Sequence, residues 1–155
     1  MSIKSEPQNF HCTIIDIAGF GGLLIIGVSG SGKTSLALGL LEHFNRHDKN
    51  TAAFVCDDQA LLSANNAKLI AHAPNAIEGK VEIFGFGISE IDHKPASEIK
   101  LIVELVEDAL IERMPEDKIY TLMGLDIAHI QVPIRHEAQS IRIIKAWLNK
   151  NTPCD

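Results

Sequence analysis

Gly27-Val28-Ser29-Gly30-Ser31-Gly32-Lys33-Thr34 is the stretch on which the reading of this chain turns. It follows the apolar run Leu23-Leu24-Ile25-Ile26, and after it Ala37, Leu40, Leu41 and Phe44 recur at helical spacing. A buried strand, a glycine-rich turn and an amphipathic helix in that order carry G-x-x-x-x-G-K-[ST], the phosphate-binding loop. Glycines let the backbone wrap closely around phosphate oxygens, while inward amides and a helix N-terminus supply positive potential. Gly27, Val28, Ser29, Gly30, Ser31, Gly32, Lys33 and Thr34 are therefore expected to line a nucleotide site. Lys33 is expected to reach the terminal phosphates, and Thr34 to offer its hydroxyl to magnesium. A glycine turn that happens to hold a lysine is the bland alternative, and it leaves the flanking strand and helix unexplained.

Working outward, residues 13–17 read as a strand, joined to 23–26 through a hairpin punctuated by Gly19, Gly21 and Gly22. Residues 51–56 form another buried strand that ends abruptly in Asp57-Asp58. Residues 60–63 and 68–72 flank Asn65-Asn66 as a hairpin, and 80–83 is a strand running into Gly85 and Gly87. Residues 99–106 are apolar at almost every position, and their β-branched content favours a strand over a helix. A short helix is expected near 109–113, before Pro115, and a last strand at 128–132, ended by Pro133. Residues 136–149 carry Ala138, Ile141, Ile144 and Leu148 on one helical face. The expected fold is one α/β domain over residues 11–150: a P-loop nucleotide-binding fold whose mostly buried, mixed sheet is flanked by helices. Residues 1–10 read as a disordered lead and 151–155 as a tail.

Length and composition limit what such a domain can do. At 155 residues there is room for one core, and 46% apolar with 22% charged residues is the mix of a soluble globular chain. Fourteen basic against 20 acidic residues leave a net charge of −6, which argues against general binding of nucleic-acid backbones. No apolar run approaches the roughly 20 residues that span a bilayer. The N-terminus lacks the apolar core of a secretory signal. Three cysteines, Cys12, Cys56 and Cys154, stand at no metal-ligand spacing, as expected of reduced thiols in a cytoplasm.

The second chemical element is Asp57-Asp58. A P-loop site needs an acid at the end of a neighbouring strand, to hold the metal or to act on the attacking group. Side chains next to each other in an extended segment point apart, so the two carboxylates can take separate tasks. One can approach the metal while the other accepts a proton from an incoming hydroxyl, although an acidic turn capping a strand would read the same way. His43, His47, His72, His93, His129 and His136 show no zinc spacing with the cysteines. Trp147 beside the last apolar stripe reads as packing, and Cys56 as an inert buried thiol.

Four segments in order resemble the C-terminal catalytic domain of the HPr kinase/phosphorylases: His11 in HCTIIDIAG, the loop GVSGSGKT, the acids of FVCDDQ, and VEIFGFGI. Residues 11–92 are similar throughout, whereas 99–148 follow loosely, in the manner of the short versions found in alphaproteobacteria. The resemblance implies an ATP-dependent kinase that phosphorylates a serine of the phosphocarrier protein HPr, part of phosphotransferase-system signalling. Many members also reverse that step with inorganic phosphate. It further implies Asp58, or its neighbour Asp57, as the base for the seryl hydroxyl and Glu82 as a second magnesium ligand. His11 is implied to lie beside the aspartates and tune their protonation. Members are hexamers with a separate N-terminal domain, so the resemblance implies an oligomer and a chain that is the catalytic core alone.

Two positions depart from the family's E-[IV]-R-G-L-G-[IV] segment. Phe84 stands in place of arginine and Phe86 in place of leucine. A later arginine-containing loop has only Arg113 and Arg135 as candidates. Loss of a charge that stabilises the transferring phosphoryl group can cost on the order of a thousandfold. Kinase activity is therefore expected to survive better than phosphorylase activity. Two other readings compete: a small-molecule P-loop kinase, weakened by the lack of an arginine-rich lid, and a nucleotide-sensing regulator, which Phe84 favours.

Overall fold

Strand formation follows from apolar runs that are buried on both faces, and the computed structural model describes residues 4–152. In chain order the elements are β1 (Gln8–His11), β2 (Thr13–Ile17), β3 (Gly21–Ile26), α1 (Lys33–Phe44), β4 (Ala52–Cys56), β5 (Gln59–Asn65) and β6 (Lys68–His72). They continue with β7 (Lys80–Ile83), β8 (Gly87–Glu90), β9 (Ala96–Val106), β10 (Lys118–Leu122), β11 (Leu125–Pro133) and α2 (Glu137–Asn151). Along the sheet the order is β1-β5-β6-β9-β3-β2-β4, with β11 also on β9 and β10 on β11. β9 runs parallel to β3 and to β11, while the other pairs are antiparallel, so the sheet is mixed as expected.

Alternation within the apolar strands sorts their side chains onto two cores. Ile15, Ile17, Leu23, Ile25, Leu101, Val103 and Leu105 pack with α1 and α2. Ile14, Leu24, Val55 and Ile102 face the opposite way, against Leu62, Leu69 and Ala71 of the β5–β6 hairpin. On α1 the buried stripe is Leu36, Ala37, Leu40 and Leu41, with Phe44 half-buried. Among the described residues no helix is long and apolar enough to cross a membrane.

The elements depart from the sequence reading in several places, β8 being one strand it did not expect. Within the lead expected to be disordered, Gln8–His11 pairs antiparallel with β5, and the Ser5 amide donates to the Ala64 carbonyl at 2.8 Å. An edge strand like this is held by backbone hydrogen bonds, which polar side chains do not announce. In place of a helix at 109–113 there is a single 3₁₀ turn, Asp108–Leu110. Leu110 and Met114 are exposed, so no apolar stripe is buried to support an α-helix there. β10 has no counterpart in the reading because Ile119, its most apolar residue, points to solvent while Lys118 and Tyr120 lie half-buried. On α2 the buried stripe is Ser140, Ile144 and Leu148; Ala138 is exposed, and Ser140 donates its hydroxyl to the Pro133 carbonyl at 3.0 Å. The helix runs through Asn151, and the rest of the expected tail beyond Thr152 lies outside the described residues.

Candidate active site

The phosphate loop leaves β3 at Ile26 and enters α1 at Lys33. Its turn is closed by the Ser31 amide donating to the Val28 carbonyl at 3.0 Å. Gly32 takes the N-cap position with φ 99°, a left-handed conformation that strains any residue with a side chain. No side chain caps this end of α1, and no acid lies in its first turn, so its amides and partial positive charge are left for an anion. Lys33 is buried and folds back over the loop, donating from Nζ to the carbonyls of Gly27 and Val28 at 3.0 and 3.2 Å. Ser31 Oγ is buried without a hydrogen-bond partner among the described residues.

Opposite the loop, β4 ends at Cys56 and the two aspartates part company. Asp57 turns inward and is 8% exposed. Its Oδ1 accepts from Thr34 Oγ1 at 2.6 Å and from Thr13 Oγ1 at 3.3 Å, and its Oδ2 from the Glu82 amide at 3.2 Å. Asp58 sits at φ 64°, where a non-glycine residue is strained, and its backbone is pinned on both sides. Its amide donates to Thr13 Oγ1 at 3.3 Å and its carbonyl accepts from the Cys12 amide at 3.1 Å. This turn sends the Asp58 carboxylate outward to His11 Nδ1 at 3.5 Å, with the two side chains 64% and 79% exposed. His11 is placed by β1, where it pairs with Gln59.

The structure thus brings together Lys33, Thr34, Asp57, Asp58 and His11. Glu82 joins the group through its backbone amide; its side chain is exposed on β7. Among the described residues no three or more His, Cys, Asp or Glu converge as a metal-binding group. The hydroxyl of Thr34 on the Asp57 carboxylate is nevertheless a pair of hard oxygen donors, which suits magnesium shared with a phosphate ligand. Together with the open α1 terminus and Lys33, these residues fit a magnesium nucleotide.

Thr13 is the functional residue that sequence reasoning missed. A threonine among isoleucines reads only as a strand former, yet its hydroxyl ties both aspartates to β2. Of the two candidate arginines, Arg135 lies between β11 and α2 and lines a cavity of about 310 Å³ together with Gly30, Ser31 and Gly32. Arg113 lies in the exposed segment after β9. Cys12 and Cys56 are buried thiols in settings that disfavour the thiolate. Burial, then the negative charge of Asp58, pushes Cys12 up to about 12, against an opposing pull from Lys33. Burial, then neighbouring Cys12, pushes Cys56 up as well.

Residues 3–152 match the family model described as the HPr Serine kinase C-terminal domain. The chain belongs to that family. It is 29% identical to the HPr kinase/phosphorylase of Mycoplasma mycoides subsp. mycoides SC over 92% of its own length, and 30% identical to that of Prosthecochloris aestuarii over 84%. The Clostridium beijerinckii HPr kinase/phosphorylase is 27% identical over 98% of the chain. The chain spans about half or less of the length of these relatives, 47%, 39% and 54% respectively. Its fold matches the structure of the Hpr(Ser) kinase/phosphatase from Coxiella burnetii with a TM-score of 0.77 at 23% identity, covering 92% of this chain and 97% of that one. The mixed sheet flanked by helices is therefore the family's fold, and the aspartate pair lies beside the glycine-rich loop through the Thr34–Asp57 hydrogen bond.

Proposed function

We propose that the chain transfers the terminal phosphoryl group of ATP to a serine hydroxyl of an HPr-type phosphocarrier protein. The observation that carries the reading is the opposite orientation of the adjacent aspartates beside the phosphate loop. Asp57, inward and bonded to Thr34, is suited to the metal; Asp58, outward beside His11, is suited to a proton. Asp58 takes the seryl proton as the new oxygen–phosphorus bond forms and the bond to the bridging oxygen of ADP breaks. His11 orients that carboxylate, and Lys33 with the loop amides holds the phosphates in line. Magnesium, when bound, neutralises charge on the β- and γ-phosphates. Thr34 and Asp57 would hold it, with Glu82 on β7 as the second candidate ligand.

The open setting of Asp58 and His11 supports a protein as acceptor. Both are largely exposed, so the substrate itself must exclude water from the reacting atoms. A cytoplasmic setting and self-assembly belong to the same reading, with reduced Cys12 and Cys56. The test is to mix the protein with magnesium-ATP and HPr and to follow phosphate onto serine by mass, with Lys33→Ala and Asp58→Asn as controls. Transfer by the wild type, lost in both controls, is the expected result. ATP binding without transfer would favour the nucleotide-sensing regulator, the reading to which Phe84 points. Reversal is expected to be weak for the same reason. Brisk pyrophosphate release from phosphorylated HPr and inorganic phosphate would contradict that expectation.

A further inference from the structure

The β7–β8 hairpin is anchored at its base and bare at its tip. Val81 is 2% exposed in the core beneath α1, Ile91 packs against the same core, and the Ile91 amide closes the base on the Gly79 carbonyl at 2.9 Å. Beyond Glu82 the chain turns out into solvent through Phe84 and Gly85, and the Phe86 amide returns to the Ile83 carbonyl at 2.9 Å. Gly85 has φ 90°, which lets the chain reverse here without a strained side chain. Phe84 is 103% exposed, Phe86 75% and Ile88 64%, with Ile83 at 37%. Four large apolar side chains exposed on one hairpin present surface of the kind that marks a protein contact.

We propose that this tip is the docking element for the phosphoacceptor protein, which grips Phe84 and Phe86 with an apolar surface bordered by basic residues next to its serine. The inference rests on the kinase reading above and adds the surface that delivers the acceptor. Position supports it: the Glu82 amide that holds Asp57 lies two residues from Phe84, so a protein seated on the tip is brought to the aspartates. Charge selects the occupant. Exposed Glu82 adjoins the tip, Glu90 and Asp92 lie at the base of the hairpin where Glu90 pairs across from Lys80, and exposed Asp58 stands at the neighbouring site. A basic margin on the partner complements the acids that lie between the tip and the aspartates.

The experiment compares wild type, the double variant Phe84→Ser/Phe86→Ser and the charge variant Glu90→Lys/Asp92→Lys. HPr binding is titrated by calorimetry, phosphoserine formation is followed against HPr concentration, and ATP binding is measured separately. The double variant is expected to raise both the HPr dissociation constant and KM at least tenfold, with the ATP dissociation constant and kcat within twofold of wild type. The charge variant is expected to weaken HPr binding at low salt and to flatten its salt dependence. An unchanged KM in the double variant, or a loss confined to kcat, overturns the proposal. So does sedimentation showing that the tip substitutions dissolve a wild-type oligomer while HPr binding persists. If wild type binds HPr through the tip without phosphorylating it, the docking surface stands and the kinase reading fails. If wild type phosphorylates HPr with the same KM after the tip is removed, the kinase reading stands and the docking surface fails.

Discussion

Asp57, just past the end of β4, and Asp16, on neighbouring β2, are both buried carboxylates, 8% and 6% exposed, and the fold treats them in opposite ways. Asp16, on β2, accepts from Ser97 Oγ at 2.5 Å and is neutralised by Lys94 Nζ at 3.2 Å. Asp57 is held by two hydroxyls and an amide, and among the described residues no cation forms an ion pair with it. A buried charge is ordinarily matched by an opposite one, because leaving water costs several kcal/mol per ion. Asp16 is therefore paired within the fold, whereas Asp57 is oriented by neutral donors alone, which suits the proposed role of meeting a cation brought from outside. The same residue type at similar burial is paired with a cation at one place and left without one at the other, and under the proposed function that difference separates a structural from a catalytic-site carboxylate.

Neutralising each carboxylate in turn tests the comparison. Asp57→Asn is expected to lower phosphoryl transfer roughly a hundredfold to a thousandfold, comparable to removing one preorganised transition-state donor. It is also expected to abolish the rise in melting temperature that magnesium produces with ADP. Asp16→Asn should leave transfer within threefold of wild type; a loss as large as that of Asp57→Asn would break the distinction. On stability the order reverses. Asp16→Asn is expected to cost about 1–2 kcal/mol in urea unfolding, a modest figure because half-exposed Lys94 regains water.

Thr13→Val sharpens the comparison at smaller scale. It removes one donor from Asp57 and the hydroxyl that accepts from the Asp58 amide, so roughly 1 kcal/mol of stability is expected to go. Transfer should fall about tenfold through misplaced aspartates, with ATP affinity little changed. The smallest effect concerns the thiols. With Cys12 pushed up to about 12, only about one part in ten thousand is thiolate at pH 8. In a Cys154→Ser background the native protein should therefore resist alkylation at Cys12 and Cys56 until it unfolds, which mass spectrometry after pulsed labelling would read. Rapid labelling of Cys12 would mean that the wall between β2 and the aspartates opens in solution.

The phosphate loop was legible because its function is local: eight consecutive residues set the backbone, and the flanking strand and helix announce themselves by periodicity. The central strands were legible for the same reason, being continuous apolar runs buried on both sides. β1 and β10 were hidden because they are held largely by backbone pairing, with only partly buried side chains such as Phe10 and Tyr120 against the core. Thr13 was hidden because its partners lie 44 and 45 residues away.

By itself the sequence determined that a glycine-rich loop with the pattern of a phosphate site, two adjacent acids and a histidine belong to one α/β domain, since each is a local pattern on a recognisable element. Only the tertiary structure separated the two acids. The left-handed turn at Asp58, pinned by Thr13 and Cys12, sends one carboxylate into the fold against Thr34 and the other out to His11. It also turned the exposed segment after Glu82 into an apolar tip beside the site. The physical reason is common to both: whether a side chain meets water, a donor or a charge is set by residues distant in the chain, and no local pattern encodes it.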